Sequence, residues 1–238
     1  MIHKYPSDIE LYYSTEISNN KIELIDVEFK HAVKVMRHKV GDVLRITDGA
    51  GKYYITNIVE ISENNLIAEI NSVTEFQNKF KNIWFCFPRL KSNDRFEFEL
   101  EKAIELGITN FLIINTNRTI PKGAKLERWN KIAYAAMKQS LRMHLPRLEY
   151  LKSIEEINNF DGVKIILDQN GDENLQKFLA HNAREINDKP IYFIFGPEGG
   201  LTSEELNKLA GNVVSLTENR LRAETAVITA AVLLNTIK

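Results

Sequence analysis

Two short segments near the C-terminus carry residue types and spacings suited to chemistry. The first reads Phe193-Ile194-Phe195-Gly196-Pro197-Glu198-Gly199-Gly200-Leu201-Thr202-Ser203-Glu204-Glu205, an apolar run entering a Gly/Pro loop that opens a helix. The second, Leu221-Arg222-Ala223-Glu224-Thr225-Ala226, opens another helix. Glycines let main chain approach a bound molecule where side chains would collide. Helix starts add unpaired N–H groups aimed at it. The two loops together predict a ligand pocket lined by backbone. Arg222 offers an always-charged fork suited to phosphate or carboxylate. Glu224 reads either as a group orienting a ligand or as a carboxylate capping its own helix. The first loop matches neither Gly-x-Gly-x-x-Gly nor the phosphate-binding Gly-Lys-Ser/Thr loop. Taken alone, it also reads as a tight strand–helix turn.

A second signature is charge. The 238-residue chain has a net charge of −1, yet residues 76–150 carry 14 Lys/Arg against 7 Asp/Glu. The segments on either side are acidic. Lys91, Arg95, Arg118, Lys122, Lys125 and Arg128 belong to the basic segment, followed by Lys131, Lys138, Arg142 and Arg147. Lys131 and Lys138 are a heptad apart and project from similar sides of one helix. Such a surface suits a polyanion, through salt-sensitive, sequence-independent phosphate contacts. A solvated helix face explains the same charges.

Other chemistries lack their residues. Cys86 is the single cysteine, which leaves no internal disulfide and no multi-cysteine zinc site. Within Ile83-Trp84-Phe85-Cys86-Phe87 it reads as a core thiol. His31 and His144 are isolated, no spacing suggests a metal, and no Gly-x-Ser-x-Gly elbow is present. Charged residues interrupt every apolar run, so no membrane span is expected. Met1-Ile2-His3-Lys4-Tyr5-Pro6 lacks the apolar block of a signal peptide, and a cytoplasmic protein is expected.

The elements that must position these residues are legible in outline. Residues 1–73 read as a small β-barrel, with strands at 21–26, 42–48, 52–61 and 66–73 and a short helix at 28–36. Glu75 to Lys81 reads as a linker. From Ile83 onward, strands alternate with helices. Ile83–Phe87 and Phe111–Asn115 read as strands, and Val163–Leu167, Ile191–Phe195 and Val213–Leu216 read as predominantly apolar runs, as in parallel strands covered on both faces. Helices are expected at Arg95–Leu106, capped by Asp94 and stopped by Gly107, at Leu126–Leu141 and from Ala223 to Ile237. The expected fold is α/β with helices on both faces of a mostly parallel sheet. Its ligand lies beyond the carboxyl ends of the strands.

In order along the chain, these residues are similar to a family. Gly196-Pro197-Glu198-Gly199-Gly200-Leu201 followed by Leu221-Arg222-Ala223-Glu224-Thr225-Ala226 is the strongest block. Lys102-Ala103-Ile104-Glu105-Leu106-Gly107, Thr116-Asn117-Arg118, Gln139 to Arg142 with Pro146, His31 to Arg37, Gly41-Asp42 and Asp48-Gly49 add to it. The chain resembles the RsmE family, bacterial 16S ribosomal RNA uridine-N3 methyltransferases of the SPOUT superfamily. It departs from the pattern at Ala223, where the family usually has Thr, and at Thr217, where Gly is common.

The resemblance implies a PUA-like RNA-gripping domain over 1–73 and a methyltransferase domain over 74–238 with a C-terminal trefoil knot. It implies a homodimer acting on 16S rRNA in the small ribosomal subunit, with no metal. The cosubstrate is S-adenosylmethionine, held by Leu167, Asp168, Gly196, Pro197, Glu198 and Gly199. Gly200, Leu216, Leu221, Arg222 and Thr225 complete that set. Arg222 and Glu224 are the expected catalytic groups. The expected RNA contacts are Arg37, Lys91, Arg95, Arg118, Lys131, Lys138 and Arg142. Three rivals stand beside this reading: a non-catalytic RNA-binding or ribosome-assembly factor, a SPOUT enzyme acting at another RNA site, and a metabolic α/β enzyme for a small anion, which leaves the basic segment unexplained.

Overall fold

The computed structural model describes residues 9–182 and 189–236. The N-terminal residues inspected for a signal peptide, and Ile237, lie outside the described residues. The chain forms two compact units. One is built from the residues up to Asn78 with Met137–Leu145, and the other from Lys79–Ala136 with the residues from Pro146 on.

In the first unit, apolar and polar residues alternate because each strand buries one face. Its strands are β1 (Leu11–Tyr13), β2 (Ile17–Ser18), β3 (Lys21–Ile25), β4 (Val43–Thr47), β5 (Lys52–Ile61) and β6 (Asn65–Glu75). They form one six-stranded sheet in the order β1-β4-β5-β6-β3-β2, with β1 parallel to β4 and the other pairs antiparallel. Register shifts between Ile55 and Thr56 and between Ile58 and Glu60 mark bulges in β5, which sharpen its bend. Leu44, Ile46, Ile58, Leu66 and Ala68 point inward and are buried. The expected 28–36 helix is a short α1 (Asp26–Lys30) running into one wide π-turn, His31–Val35.

The second unit owes its sheet to continuous apolar runs. The strands are β7 (Ile83–Pro88), β8 (Asn110–Ile114), β9 (Arg147–Leu151), β10 (Val163–Leu167), β11 (Glu173–Asn174), β12 (Ile191–Phe195) and β13 (Asn212–Ser215). Their order is β11-β13-β10-β12-β7-β8-β9, and every pair is parallel. In β12, Phe193 and Phe195 enter one core with Phe85 and Val227, while Tyr192 and Ile194 enter another with Cys86 and Leu112. Burying a side chain of this size stabilises by about 1.5–3 kcal/mol, so β12 anchors both layers.

The helices are α2 (Asn93–Glu105), α3 (Leu126–Gln139), α4 (Leu175–His181), α5 (Ser203–Lys208) and α6 (Ala223–Thr236). Ser92, not Asp94, caps α2: its hydroxyl accepts from the Arg95 N–H. Asp94 lies inside the first turn, where its charge still favours the helix dipole. Gly107 ends the helix with φ +97°, donating to the Ile104 carbonyl. The chain moves outward from β7 through β8 to β9, then resumes at β10 on the other side of β12. That reversal places the C-terminal ends of β13, β10 and β12 side by side, where open parallel sheets bind ligands.

Candidate functional site

A cavity of about 640 Å³ opens at those strand ends. That size suits a small cosubstrate, since such sites span about 300–1,000 Å³. Three loops form its walls: the one after β10 at Asp168, the one after β12 at Gly196, and the one between β13 and α6. Leu167, Phe195, Leu216 and Leu221 supply apolar surface between stretches of main chain.

The Gly196 loop is shaped by its glycines. The Gly200 N–H donates to the Pro197 carbonyl at 2.8 Å, closing a tight turn in which Gly200 sits at φ +70°. A side chain there would be strained. At Gly196 a Cβ would stand 3.1 Å from the Leu201 nitrogen and 3.2 Å from Gly200 main chain, so the turn folds back on itself at that point.

Neighbouring residues then lock the loop. The Arg118 guanidinium donates to the Gly199 carbonyl at 2.5 Å and reaches the Leu201 carbonyl at 3.4 Å. Glu198 Oε1 accepts from the Lys91 N–H at 2.9 Å. Glu205, 1% exposed, accepts from the Asn117 N–H through Oε1 at 2.7 Å and from the Thr202 N–H through Oε2 at 2.8 Å. Thr202 returns a bond to the Glu205 N–H, which completes a capping box at the start of α5. This corrects one expectation. The Thr202 and Glu205 N–H groups at the start of this helix are engaged in the capping box, so they are not offered to a ligand. The loop itself, and the start of the longer α6, face the cavity.

The β10 loop is held in the same fashion. Asp168 donates its N–H to the Val214 carbonyl at 3.0 Å, and its Oδ1 accepts from the Asn170 N–H at 2.9 Å. The Asn174 amide donates to the Leu216 carbonyl at 2.9 Å and ties β11 to the third loop. Asn170 and Asn219 line the cavity without having been singled out. An Asp or Asn just beyond an apolar run marks such turns, and that is the signal that points to them.

At the α6 start, Arg222 is exposed and accepts the Ala226 N–H on its carbonyl at 2.9 Å. Glu224 is nearly covered, with 12% of its side chain exposed. Its Oε1 lies 3.7 Å from Arg95 Nε and 4.0 Å from Arg222, while its Oε2 is buried and has no hydrogen-bond partner. Glu224 thus lies in the first turn of α6, as the helix-start reading has it, and its carboxylate also faces two guanidinium groups.

Ten of the eleven residues expected around the cosubstrate line this cavity, from Leu167 and Asp168 through Gly196–Gly200 to Leu216, Leu221 and Arg222. Thr225 is exposed and does not; Ala226, one residue on, does. Of the expected RNA contacts, Arg95 and Arg118 line it as well. Lys91 and Lys131 are exposed in the second unit, and Lys131 pairs with Glu127 at 2.7 Å. Arg37, Lys138 and Arg142 belong to the first unit. Arg37, at φ +60°, and Arg142 are exposed. Lys138 differs: its ammonium is 2.5 Å from Glu28 Oε1 and 5.5 Å from the Tyr12 ring, with 16% of its side chain exposed. It does not share the exposure of Lys131, because the last turn of α3 packs within the first unit.

Comparisons with known proteins agree along the chain. A family model described as an RNA methyltransferase domain matches residues 62–235, and one described as an RNA methyltransferase PUA domain matches residues 24–71. The chain is 30% identical to the ribosomal RNA small subunit methyltransferase E of Rickettsia conorii, across 92% of each chain. It is 26% identical to the Bacillus subtilis protein of that name, across 90% of this chain and 91% of the other. The crystal structure of a Neisseria gonorrhoeae ribosomal RNA small subunit methyltransferase E bound to S-adenosyl methionine superposes with a TM-score of 0.83 at 27% identity, covering 96% of this chain and 97% of that one.

Proposed function

Because the chain belongs to the RNA methyltransferase family, among the ribosomal RNA small subunit methyltransferases E, we propose that it transfers a methyl group from S-adenosylmethionine to N3 of a uridine in 16S rRNA. The observation that carries this reading is the cavity at the ends of β10, β12 and β13, walled by main chain and flanked by Arg222 and Glu224. Its residues fit the cosubstrate. Backbone groups of the Gly196 and Leu216 loops suit adenosine, the leucines suit its apolar faces, and the orphaned Glu224 Oε2 marks an unmet polar need.

When bound, S-adenosylmethionine would supply a sulfonium methyl carbon for in-line attack by a nitrogen, with the thioether as the leaving group. The protein's share is positioning and charge. The uracil N3 proton must depart as the bond to carbon forms. Glu224, facing Arg95 and Arg222, is placed to orient the base or accept that proton. Arg222, with 69% of its side chain exposed, is free to approach a phosphate or the developing charge on O2 and O4. A nucleobase reaches the cavity only when splayed out of its stack. Arg37, Lys91, Lys131 and Arg142 supply phosphate contacts in this reading.

The same proposal assigns RNA gripping to residues 1–73 and catalysis to residues 74–238, with the trefoil threading of the family at the three loops. It takes the active form as a homodimer in the cytoplasm; the exposed Phe98 of α2 and Val232 of α6 support an interface there. The test is methyl transfer from labelled cosubstrate to small ribosomal subunits lacking the modification, with mapping of the methylated nucleoside. Arg222→Ala is expected to lower turnover at least a hundredfold, about 2.7 kcal/mol or more, with an unchanged fold. Near-normal methylation by that variant removes the role of Arg222, and absence of N3-methyluridine removes the reaction.

A further inference from the structure

Helix α2 turns Phe96, Glu99, Leu100 and Ala103 inward, and one of these four is a carboxylic acid. Glu99 is 1% exposed, and neither of its carboxyl oxygens has a hydrogen-bond partner. An ionised carboxylate in such a place costs several kcal/mol, so the group keeps its proton instead. Burial pushes its pKa well above the ordinary value, and the charges of Glu224 and Glu198 push it further.

Two carboxylates bear on it directly, and two arginines face one of these, Glu224. Glu224 stands on α6, which packs against α2. Glu198 comes from the loop after β12, and Arg222 from the loop before α6. Arg95 precedes Glu99 by one turn on α2 itself. Arg95 and Arg222 both face Oε1 of Glu224 and leave Oε2 buried and unpartnered. Buried carboxyl oxygens of Glu99 and Glu224, none with a hydrogen-bond partner, thus lie on two packed helices, one turn from the Arg95–Glu224 contact.

We propose that Glu99 is a positioning residue whose protonated carboxyl donates a hydrogen bond to Oε2 of Glu224. The bond fixes the Glu224 carboxylate beside the methyl-transfer cavity. This rests on the reading of Glu224 as the site's working carboxylate. No charge is added to the cavity wall, because the proton stays on Glu99 throughout. Two ionised carboxylates would repel and leave both oxygens unsatisfied.

Infrared difference spectra of the full-length protein at neutral pH test the pair without any substrate. A protonated-carboxyl C=O band is expected in the wild type, absent in Glu99→Gln and moved to higher frequency in Glu224→Gln. No such band, or one that Glu224→Gln leaves in place, overturns the proposal. Turnover provides the second arm. Glu99→Leu is expected to lower kcat about tenfold, as loss of a charge-assisted hydrogen bond does. It should also raise the acid limb of the pH–rate profile, while the cosubstrate KM stays within about twofold. Glu99→Gln, which still donates, is expected to restore both. An acid limb unmoved in Glu99→Leu refutes the positioning role. Full activity of Glu224→Gln refutes the catalytic reading of Glu224 instead, and the spectra still decide whether the pair exists.

Discussion

Glu205 accepts three hydrogen bonds through its carboxylate beside the Gly196 loop, and its removal has a calculable effect. Its carboxylate accepts from the N–H groups of Asn117 and Thr202 and from the Thr202 hydroxyl, at 2.7, 2.8 and 3.0 Å. In Glu205→Ala both N–H groups lose their partner in a site that is 1% exposed. Each unsatisfied donor costs about 1–3 kcal/mol, and loss of the capping box adds about 1. The variant is therefore expected to lose about 4 kcal/mol, which lowers Tm by about 10 °C in a chain of this size. Trp84 and Trp129 are the only tryptophans and both lie in the second unit. Urea unfolding followed by tryptophan fluorescence thus reports that unit alone. The same variant releases the Gly196 loop from the loop carrying Asn117, so calorimetry is expected to show cosubstrate affinity weakened about tenfold. Glu205→Gln keeps one acceptor but points an amide N–H₂ at a donor, and is expected to lose about half as much. A loss below about 1 kcal/mol in Glu205→Ala would falsify the claim that this carboxylate holds the two loops together.

Two other perturbations separate roles that the sequence leaves merged. Lys131→Glu, at a side chain 75% exposed, is expected to keep the protein's stability, weaken binding to small-subunit RNA and reduce the salt slope by about one. An affinity unchanged across a salt titration contradicts it. Lys138→Glu faces the buried carboxylate of Glu28 and is expected to destabilise the first unit by about 3–5 kcal/mol; normal thermal unfolding contradicts that. Glu99 gives the chain a pH signature. The folded state holds its proton more tightly than the unfolded chain does, so its contribution is fully present below the ordinary value of 4.5 and is lost as pH rises toward the raised pKa. Glu99→Gln is expected to flatten the decline of stability with pH above 4.5, measured by urea midpoints; an identical decline contradicts the burial of that proton.

The parallel strands were legible because both their faces are covered. Val163–Leu167 and Ile191–Phe195 have the ends expected of them; Ile191–Phe195 is buried at every position, and Val163–Leu167 is apolar at all but Lys164, which is only half-buried. The edge strand Arg147–Leu151 escaped notice: its charged and apolar residues alternate, and its basic start looked like part of a cationic helix face. The walls of the cavity were visible as Gly196 to Leu201 and Leu221 to Glu224, because glycines and helix starts leave a local imprint. What they lean on was not. Arg118 clamps carbonyls 81 and 83 residues away, and Glu205 reaches 88 residues back to Asn117. No local pattern encodes contacts of that span. Glu99 was hidden differently. In Glu97-Phe98-Glu99-Leu100-Glu101 it looks like one more surface charge, yet its spacing of three from Phe96 and four from Ala103 puts it on the buried stripe.

A pocket whose walls are main chain has a pharmacological corollary. An inhibitor that engages the amides and carbonyls of the Gly196 and Leu216 loops touches atoms present whatever side chain is encoded. Resistance by point substitution would then have to distort the turn itself, at Gly196 or Gly200, and the same distortion would cripple the natural cosubstrate. Compounds that instead grip Arg222, whose side chain projects into solvent, would leave an easy route of escape wherever that arginine proved dispensable.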